Sequence, residues 1–341
     1  MIASRLEDLS FDDVFVELEG FAPGRRVILK LECHQPTGSI KFKTARQILD
    51  TLERSGQLHR GDMVVESSSG NLGVALALLC ARRGYRFTCV IDPNTQETNA
   101  RLIQAHGGQL SMVTQRDAGG YLKARLERVA QLLAQNPGAV WTNQYANEAN
   151  AAAHEQHTAP AILRNVPEVN TVVIGAGTTG TLLGCMRHIH QAAPGVRVVA
   201  VDSVGSVTFG GAPSPRKLPG IGTAVRPALA DQVDAIQRPM LHMVEEPDTV
   251  RMCHRLLRQH GLLLGASTGT ALCGLEIEAR RAPAGSTLVA ISPDGGERYL
   301  DTLYNDEWLA KTWPQHFGAP GALACEAQVS HAPRHPMVEA A

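Results

Sequence analysis

The sequence predicts an α/β protein of two domains, each a mostly parallel, twisted sheet with helices on both faces. Three observations carry this. From about residue 25, short β-branched runs alternate with longer helical ones, the pattern of strand–helix–strand units. The strand runs are short and apolar, as strands covered on both faces are. The length, 341 residues, suffices for two sheets with large cores.

In chain order, strands are expected at RVILKLE (26–32), DMVVES (62–67), RFTCVID (86–92), QLSMVT (109–114) and AVWTN (139–143), and then at TVVIGAG (171–177), VRVVAVDS (196–203) and STLVAIS (286–292). Helical patterns such as KTARQILDTLERSG, NLGVALALLCARRG and YLKARLERVAQLLAQ lie between them. Residues 203–227 break the pattern. They are rich in Gly, Pro and Ser, and a long irregular segment in a compact fold is usually functional or mobile. The stretch after Trp313, rich in Ala, Pro and His, is expected to lie outside the fold.

Composition excludes several classes. Apolar residues make up 44% of the chain, charged ones 19%, and the net charge is −1, a globular balance. Such a balance leaves no basic footprint for nucleic acid and no attraction to an acidic membrane. No apolar run approaches the ~20 residues of a span, and the N-terminus lacks a signal-peptide core. The seven dispersed cysteines form no CxxC pair and read as reduced thiols, so a cytoplasmic protein is expected. The His and Cys of the tail match no ligand spacing, so no metal site is expected.

Four small-residue loops stand at strand ends or helix starts, where parallel sheets gather ligands. They are QPTGSIK (35–41), ESSSGNLG (66–73), GAGTTGT (175–181) and GASTGT (265–270). Backbone amides at the start of NLGVALALLCARRG would cradle a carboxylate or phosphate. The third loop fits GxGxxG, and Asp202 follows at the ~20-residue offset of a dinucleotide fingerprint. That reading leaves the other loops unexplained. The threonines of GTTGT add hydroxyls that suit a phosphate monoester. A phosphate cup, a second anion loop and a lysine in a tight turn are together what pyridoxal 5′-phosphate requires of an amino-acid enzyme.

In these motifs the chain resembles fold type II pyridoxal-phosphate enzymes, the cysteine synthase and cystathionine β-synthase family with a tryptophan synthase β-like fold. The resemblance covers roughly residues 10–310. It implies Lys41, in PTGSIK, as the Schiff-base lysine, in preference to Lys43. It implies Ser68, Ser69 and Asn71 as substrate and cofactor contacts, and Gln144, in NQYANEAN, facing the substrate. Gly177, Thr178, Thr179, Gly180 and Thr181 would form the phosphate cup. Gly220, in LPGIGT, would lie at the mouth of the site. The segment SPDGGERYL places Gly295 where the family usually has a serine under the pyridine nitrogen, so Ser267 is the expected replacement.

The resemblance also implies a smaller mobile domain over residues 41–146, a larger phosphate-binding one over 1–40 and 147–313, and a tail over 314–341. It implies small amino-acid substrates and a homodimer. SSSGNLG, QYANE, GSVTFGG and GGERYLDTLY look closest to a subgroup that joins O-phospho-L-serine and L-glutamate for 2,3-diaminopropionate in siderophores and peptide antibiotics. In that subgroup Arg125 and Tyr145 would touch substrate; otherwise Arg125 is a solvated helix arginine. Arg216 and Lys217 would meet a leaving phosphate or simply be a solvated pair. A sulfide-using cysteine synthase, a dehydratase and a nicotinamide-dependent oxidoreductase are the alternatives.

Overall fold

The computed structural model describes residues 2–9, 11–116, 120–319 and 323. Two sheets organise them. The larger has six strands in the order β1 (Phe15–Glu17), β2 (Arg26–Leu31), β10 (Thr287–Ser292), β7 (Val169–Gly175), β8 (Arg197–Ser203) and β9 (Met240–Val244). All pairs are parallel except β1 with β2. The smaller sheet is wholly parallel, in the order β5 (Gln109–Met112), β4 (Arg86–Ile91), β3 (Met63–Ser67) and β6 (Val140–Trp141). The chain leaves the larger sheet after β2, builds the smaller one, and returns at β7.

The helices are α1 (Lys41–Arg54), α2 (Asn71–Arg83), α3 (Glu97–Ala105), α4 (Leu122–Gln135), α5 (Glu148–Ala153), α6 (Ala159–Asn165), α7 (Gly180–Ala192), α8 (Leu229–Ile236), α9 (Glu246–His260), α10 (Ala266–Arg281), α11 (Asp306–Thr312) and α12 (Pro314–Phe317). A π-helical turn, His154–Thr158, joins α5 to α6.

Side-chain alternation explains why the strands read as continuous apolar runs. In β7, Val172 and Ile174 enter the core that includes α6 and α7, while Val173 enters the core under α9 and α10. In β3, Val64 faces α1 and α2, and Val65 faces α4. Successive strand residues point to opposite faces, so a sheet buried on both sides needs apolar residues at every position.

Three features differ from the sequence expectation. Strand β1 is too short, and β9 too mixed in polarity, to register as strand patterns; both lie at sheet edges, where one neighbour suffices. The fold also continues past Trp313. Helix α12 follows it, and Phe317 and Leu323 bury against Leu303 and Leu309, because the edge of that cluster would otherwise expose its aromatic rings. The remainder of the expected tail lies outside the described residues. No helix among the described residues is long and apolar enough to cross a membrane.

Candidate active site

Lys41 is the first residue of α1. Ile40 N–H donates to the Pro293 carbonyl at 2.8 Å, and Ser39 bridges to Asp294, so the end of β10 holds the turn before the lysine. Gly38 permits that turn with φ +71°. Lys41 keeps some surface open, yet protein surrounds its amine. Burial lowers its pKa to about 8, against the opposing pull of Asp294. Lys43 turns the other way. It is 3% exposed and ion-paired with Glu32 at 2.8 Å and with Asp12. Burial alone would lower its pKa, but those two carboxylates raise it, so Lys43 stays charged. One rotation along a helix start thus separates a partly neutral amine from a fixed cation.

The loop between β3 and α2 stands beside Lys41. Ser68 Oγ accepts from Gly73 N–H at 3.2 Å and from Gly70 N–H at 3.4 Å, closing the loop on itself. The Ser69 carbonyl accepts from Asn99 Nδ2 at 3.3 Å. Asn71, the first residue of α2, donates its Nδ2 to Asp294 Oδ2 at 2.7 Å and accepts from Arg298. Asp294 also accepts from Tyr299 at 2.7 Å. Burial raises the Asp294 pKa, opposed by those two hydrogen bonds and by Arg298 and Lys41.

Gln144 lies across from this loop, and Glu66 ties the two together. The Glu66 carboxylate accepts from Thr142 Oγ1 at 2.6 Å, Ser67 N–H at 2.7 Å, Gln144 N–H at 3.2 Å and Trp141 Nε1 at 3.3 Å. Burial nevertheless raises its pKa.

The loop at 177–181 opens α7. Thr179 adopts the left-handed conformation, φ +64°, costly for a threonine. The first amides of any helix lack intrahelical acceptors. Asn150 supports the loop from behind, its Nδ2 donating to Thr178 Oγ1 at 3.0 Å and to the Gln144 carbonyl at 2.9 Å. Thr181 Oγ1 lies 3.2 Å from His154 Nε2, and His154 Nδ1 lies 3.0 Å from Thr158 Oγ1. Burial holds the His154 pKa well below its ordinary value, reinforced by Lys41 and Lys43, so the ring is neutral. A Cβ on Gly180 would overlap the Asn150 amide, so this position has room for glycine alone.

Gly220, φ +94°, comes close to both Gly177 and Ser267. A Cβ on Gly220 would stand 3.9 Å from Ser267 Oγ and 3.6 Å from Tyr299 Oη. Arg125 is not solvated. Its side chain is 18% exposed and pairs with Asp92 at 3.3 Å. Tyr145 is 41% exposed overall, yet burial raises its hydroxyl pKa, which Arg125 and Arg216 both pull down.

Buried polar atoms without partners gather on these same elements: Thr37 Oγ1, Ser39 Oγ, Ser67 Oγ, Asp294 Oδ1, Arg125 Nε and Arg216 Nε. Unmet buried groups are rare in folded proteins and mark places where a polar ligand completes the bonding. A small anionic group bearing an aldehyde fits the whole arrangement: a phosphate at 177–181, an electrophilic carbon at Lys41.

The family model described as pyridoxal-phosphate dependent enzyme matches residues 14–294. The chain belongs to this family. The cofactor of the family is pyridoxal 5′-phosphate, and the residues present suit it. The chain is also 40% identical over 339 residues, 98% of each chain, to an N-(2-amino-2-carboxyethyl)-L-glutamate synthase from Ralstonia nicotianae. It is 39% identical over 84% of each chain to a protein of the same name from Cupriavidus metallidurans. Among solved structures, it resembles an O-ureido-L-serine synthase with a TM-score of 0.82 and 32% identity, over 91% of this chain and 100% of that one.

Family membership removes the dinucleotide reading of GAGTTG. Asp202 is fully buried and accepts from Ser203 N–H at 2.8 Å, with no surface left for a ribose. The structure also adds residues that the sequence reading passed over: Glu66, Asn150, His154 and Asp294. Each lies within or beside a quoted motif. The available clue was a charged or amide residue in an otherwise small or apolar run.

Proposed function

We propose that this enzyme carries out a β-replacement on O-phospho-L-serine with L-glutamate as the amine nucleophile, giving N-(2-amino-2-carboxyethyl)-L-glutamate and phosphate. The observation that carries the reading is the full-length 40% identity to a synthase of that product. The similar O-ureido-L-serine synthase, also named for a serine derivative, supports a replacement at the serine β-carbon.

The residues divide the work. Lys41 would hold the cofactor aldehyde, and Gly177, Thr178, Thr179, Gly180 and Thr181 would hold its phosphate. Asn71 and Ser267 would stand against its ring. Bound there, pyridoxal 5′-phosphate supplies an electron sink that stabilises negative charge at the substrate Cα. Amides at the start of α2, with Ser68 and Ser69, hold the donor carboxylate, where the helix dipole favours an anion. Lys41 takes the proton from Cα and later returns it. A pKa near 8 leaves part of its amine free to accept that proton near neutral pH. Phosphate departs from Cβ, and the amine of L-glutamate takes its place. Gln144, Tyr145 and Arg125 line the acceptor side, and Arg125 supplies a cation for a dicarboxylate.

The test is a reaction of the purified holoenzyme with O-phospho-L-serine, followed by phosphate release and product mass. Phosphate release that requires L-glutamate, with one new amino-dicarboxylate, is expected. Turnover with sulfide and none with L-glutamate would replace this reading by cysteine synthesis.

A further inference from the structure

Residues 204–228 form neither helix nor strand, yet Lys217, Leu218 and Gly222 are anchored by hydrogen bonds. Glu246 Oε1 accepts from Lys217 N–H at 2.8 Å and from Leu218 N–H at 2.7 Å. Gly222 N–H donates to the Ala176 carbonyl at 2.8 Å, just before the phosphate cup. Leu218 and Ile221 are each 4% exposed. Arg216 therefore sits at a fixed place beside the site.

Its guanidinium is half-buried and poorly matched by protein. Nη1 donates to the Ile221 carbonyl at 2.8 Å, while Nε is buried without a partner. A Cβ on Gly222, φ +72°, would overlap Nη1, so the glycine makes room for the guanidinium against the backbone. Among the described residues no carboxylate lies within ion-pair distance of Arg216. Two acids feel its charge without pairing with it: Glu246 is held by two backbone amides, and Asp202 accepts from Ser203 N–H while its Oδ2 is buried without a partner. A half-buried cation left this way costs free energy unless a ligand anion completes it.

The other cations of the site have other roles. Lys41 serves the chemistry, Lys43 is paired with Glu32 and Asp12, Arg298 donates to Asn71 and the Thr37 carbonyl, and Arg125, paired with Asp92, serves the acceptor side. A phosphate ester of serine brings a dianion, and Arg216 is a cation beside the site with no carboxylate at ion-pair distance among the described residues. We propose that Arg216 binds the phosphate group of the donor substrate and receives it as it leaves Cβ. This rests on O-phospho-L-serine being the donor. Lys217 takes no part; its backbone is held by Glu246 while its side chain is exposed.

The experiment compares Arg216→Gln, Arg216→Lys and Lys217→Gln holoenzymes, each checked for parental thermal midpoint and cofactor absorbance. Inorganic phosphate is titrated calorimetrically, and KM is measured separately for O-phospho-L-serine and L-glutamate. In R216Q, phosphate affinity falls at least tenfold and the KM for O-phospho-L-serine rises by a similar factor. The KM for L-glutamate changes less than threefold. R216K falls between, because it keeps the charge and loses the two-pronged donor. K217Q matches the parent. Unchanged phosphate affinity in R216Q, a KM rise confined to L-glutamate, or no phosphate binding by the parent overturns the proposal. Should the parent bind phosphate yet release none from O-phospho-L-serine, the proposed function fails, while the phosphate titration of R216Q still decides whether Arg216 is a phosphate ligand.

Discussion

Asp294 Oδ2 accepts a 2.7 Å hydrogen bond from Asn71 Nδ2, joining the loop after the last strand of the six-stranded sheet to the first residue of a helix on the four-stranded sheet. The bond ties the two sheets together beside Lys41, whose pKa Asp294 raises. The neutral amine is the form that attacks an aldehyde. Recombination of the apo-protein with pyridoxal 5′-phosphate therefore speeds up as pH rises through the Lys41 pKa and levels off above it. The expected midpoint is about 8. Asp294→Asn removes a charge that favours the ammonium form, so its midpoint falls below that of the parent. A rate still climbing at the pH of an ordinary lysine, or a midpoint that rises in the variant, contradicts this account.

The two neighbouring lysines fail in opposite ways. Lys41→Ala leaves the fold intact and abolishes the covalently held cofactor, read as loss of its visible absorbance after desalting. Lys43→Ala leaves Glu32 and Asp12 without that cation. Removing one partner of a buried pair costs about 3–5 kcal/mol. Lys30, 3.3 Å from Glu32, keeps the loss toward the lower end. The expected result is a lower denaturant midpoint with the cofactor still attached at low denaturant. A K43A protein of parental stability would show that the buried pair contributes nothing.

Glu66 is a stability and registry point together. Glu66→Ala removes the acceptor of four donors at and after the ends of β3 and β6, of which Thr142 Oγ1 keeps the Val65 carbonyl. Each unmet buried donor costs about 1–3 kcal/mol, partly relieved by entering water, so a loss of about 3 kcal/mol is expected. Glu66→Gln keeps an acceptor and loses about 1 kcal/mol. Because the same donors hold Gln144 against the Ser67–Ser69 loop, KM for the amino-acid donor rises in both variants. Equal stability of E66A and E66Q by chemical denaturation counts against it.

Gly180→Ala forces the Asn150 amide aside and shifts Thr178 with it. The expected outcome is at least a tenfold loss of pyridoxal 5′-phosphate affinity by equilibrium dialysis, with secondary structure unchanged by circular dichroism. Parental affinity would mean that the Asn150 contact does not shape the loop.

Much of the site was legible because local chemistry demands particular residues. A helix start that faces an anion needs small residues and free amides, which is why SSSGN and GTTGT stand out in the chain. A tight turn before Lys41 needs Gly38 at positive φ. Edge strands β1 and β9 escaped because they have one neighbour and no unbroken apolar run. The role of Arg125 stayed open because helical spacing does not say which face meets Asp92.

The sequence by itself determined the fold class, the alternation of strand and helix, the tight turn that precedes Lys41, and the four loops, since each depends on contacts between residues near in the chain. Only the tertiary structure decided which distant groups meet. Asp294 reaches Asn71 across 223 positions, Lys43 finds Glu32 and Asp12, and Arg216 is left near the start of α7 with no ion-paired carboxylate among the described residues. Packing brings such groups together, and burial then sets their charge, because removing water makes each neighbouring charge and hydrogen bond decisive.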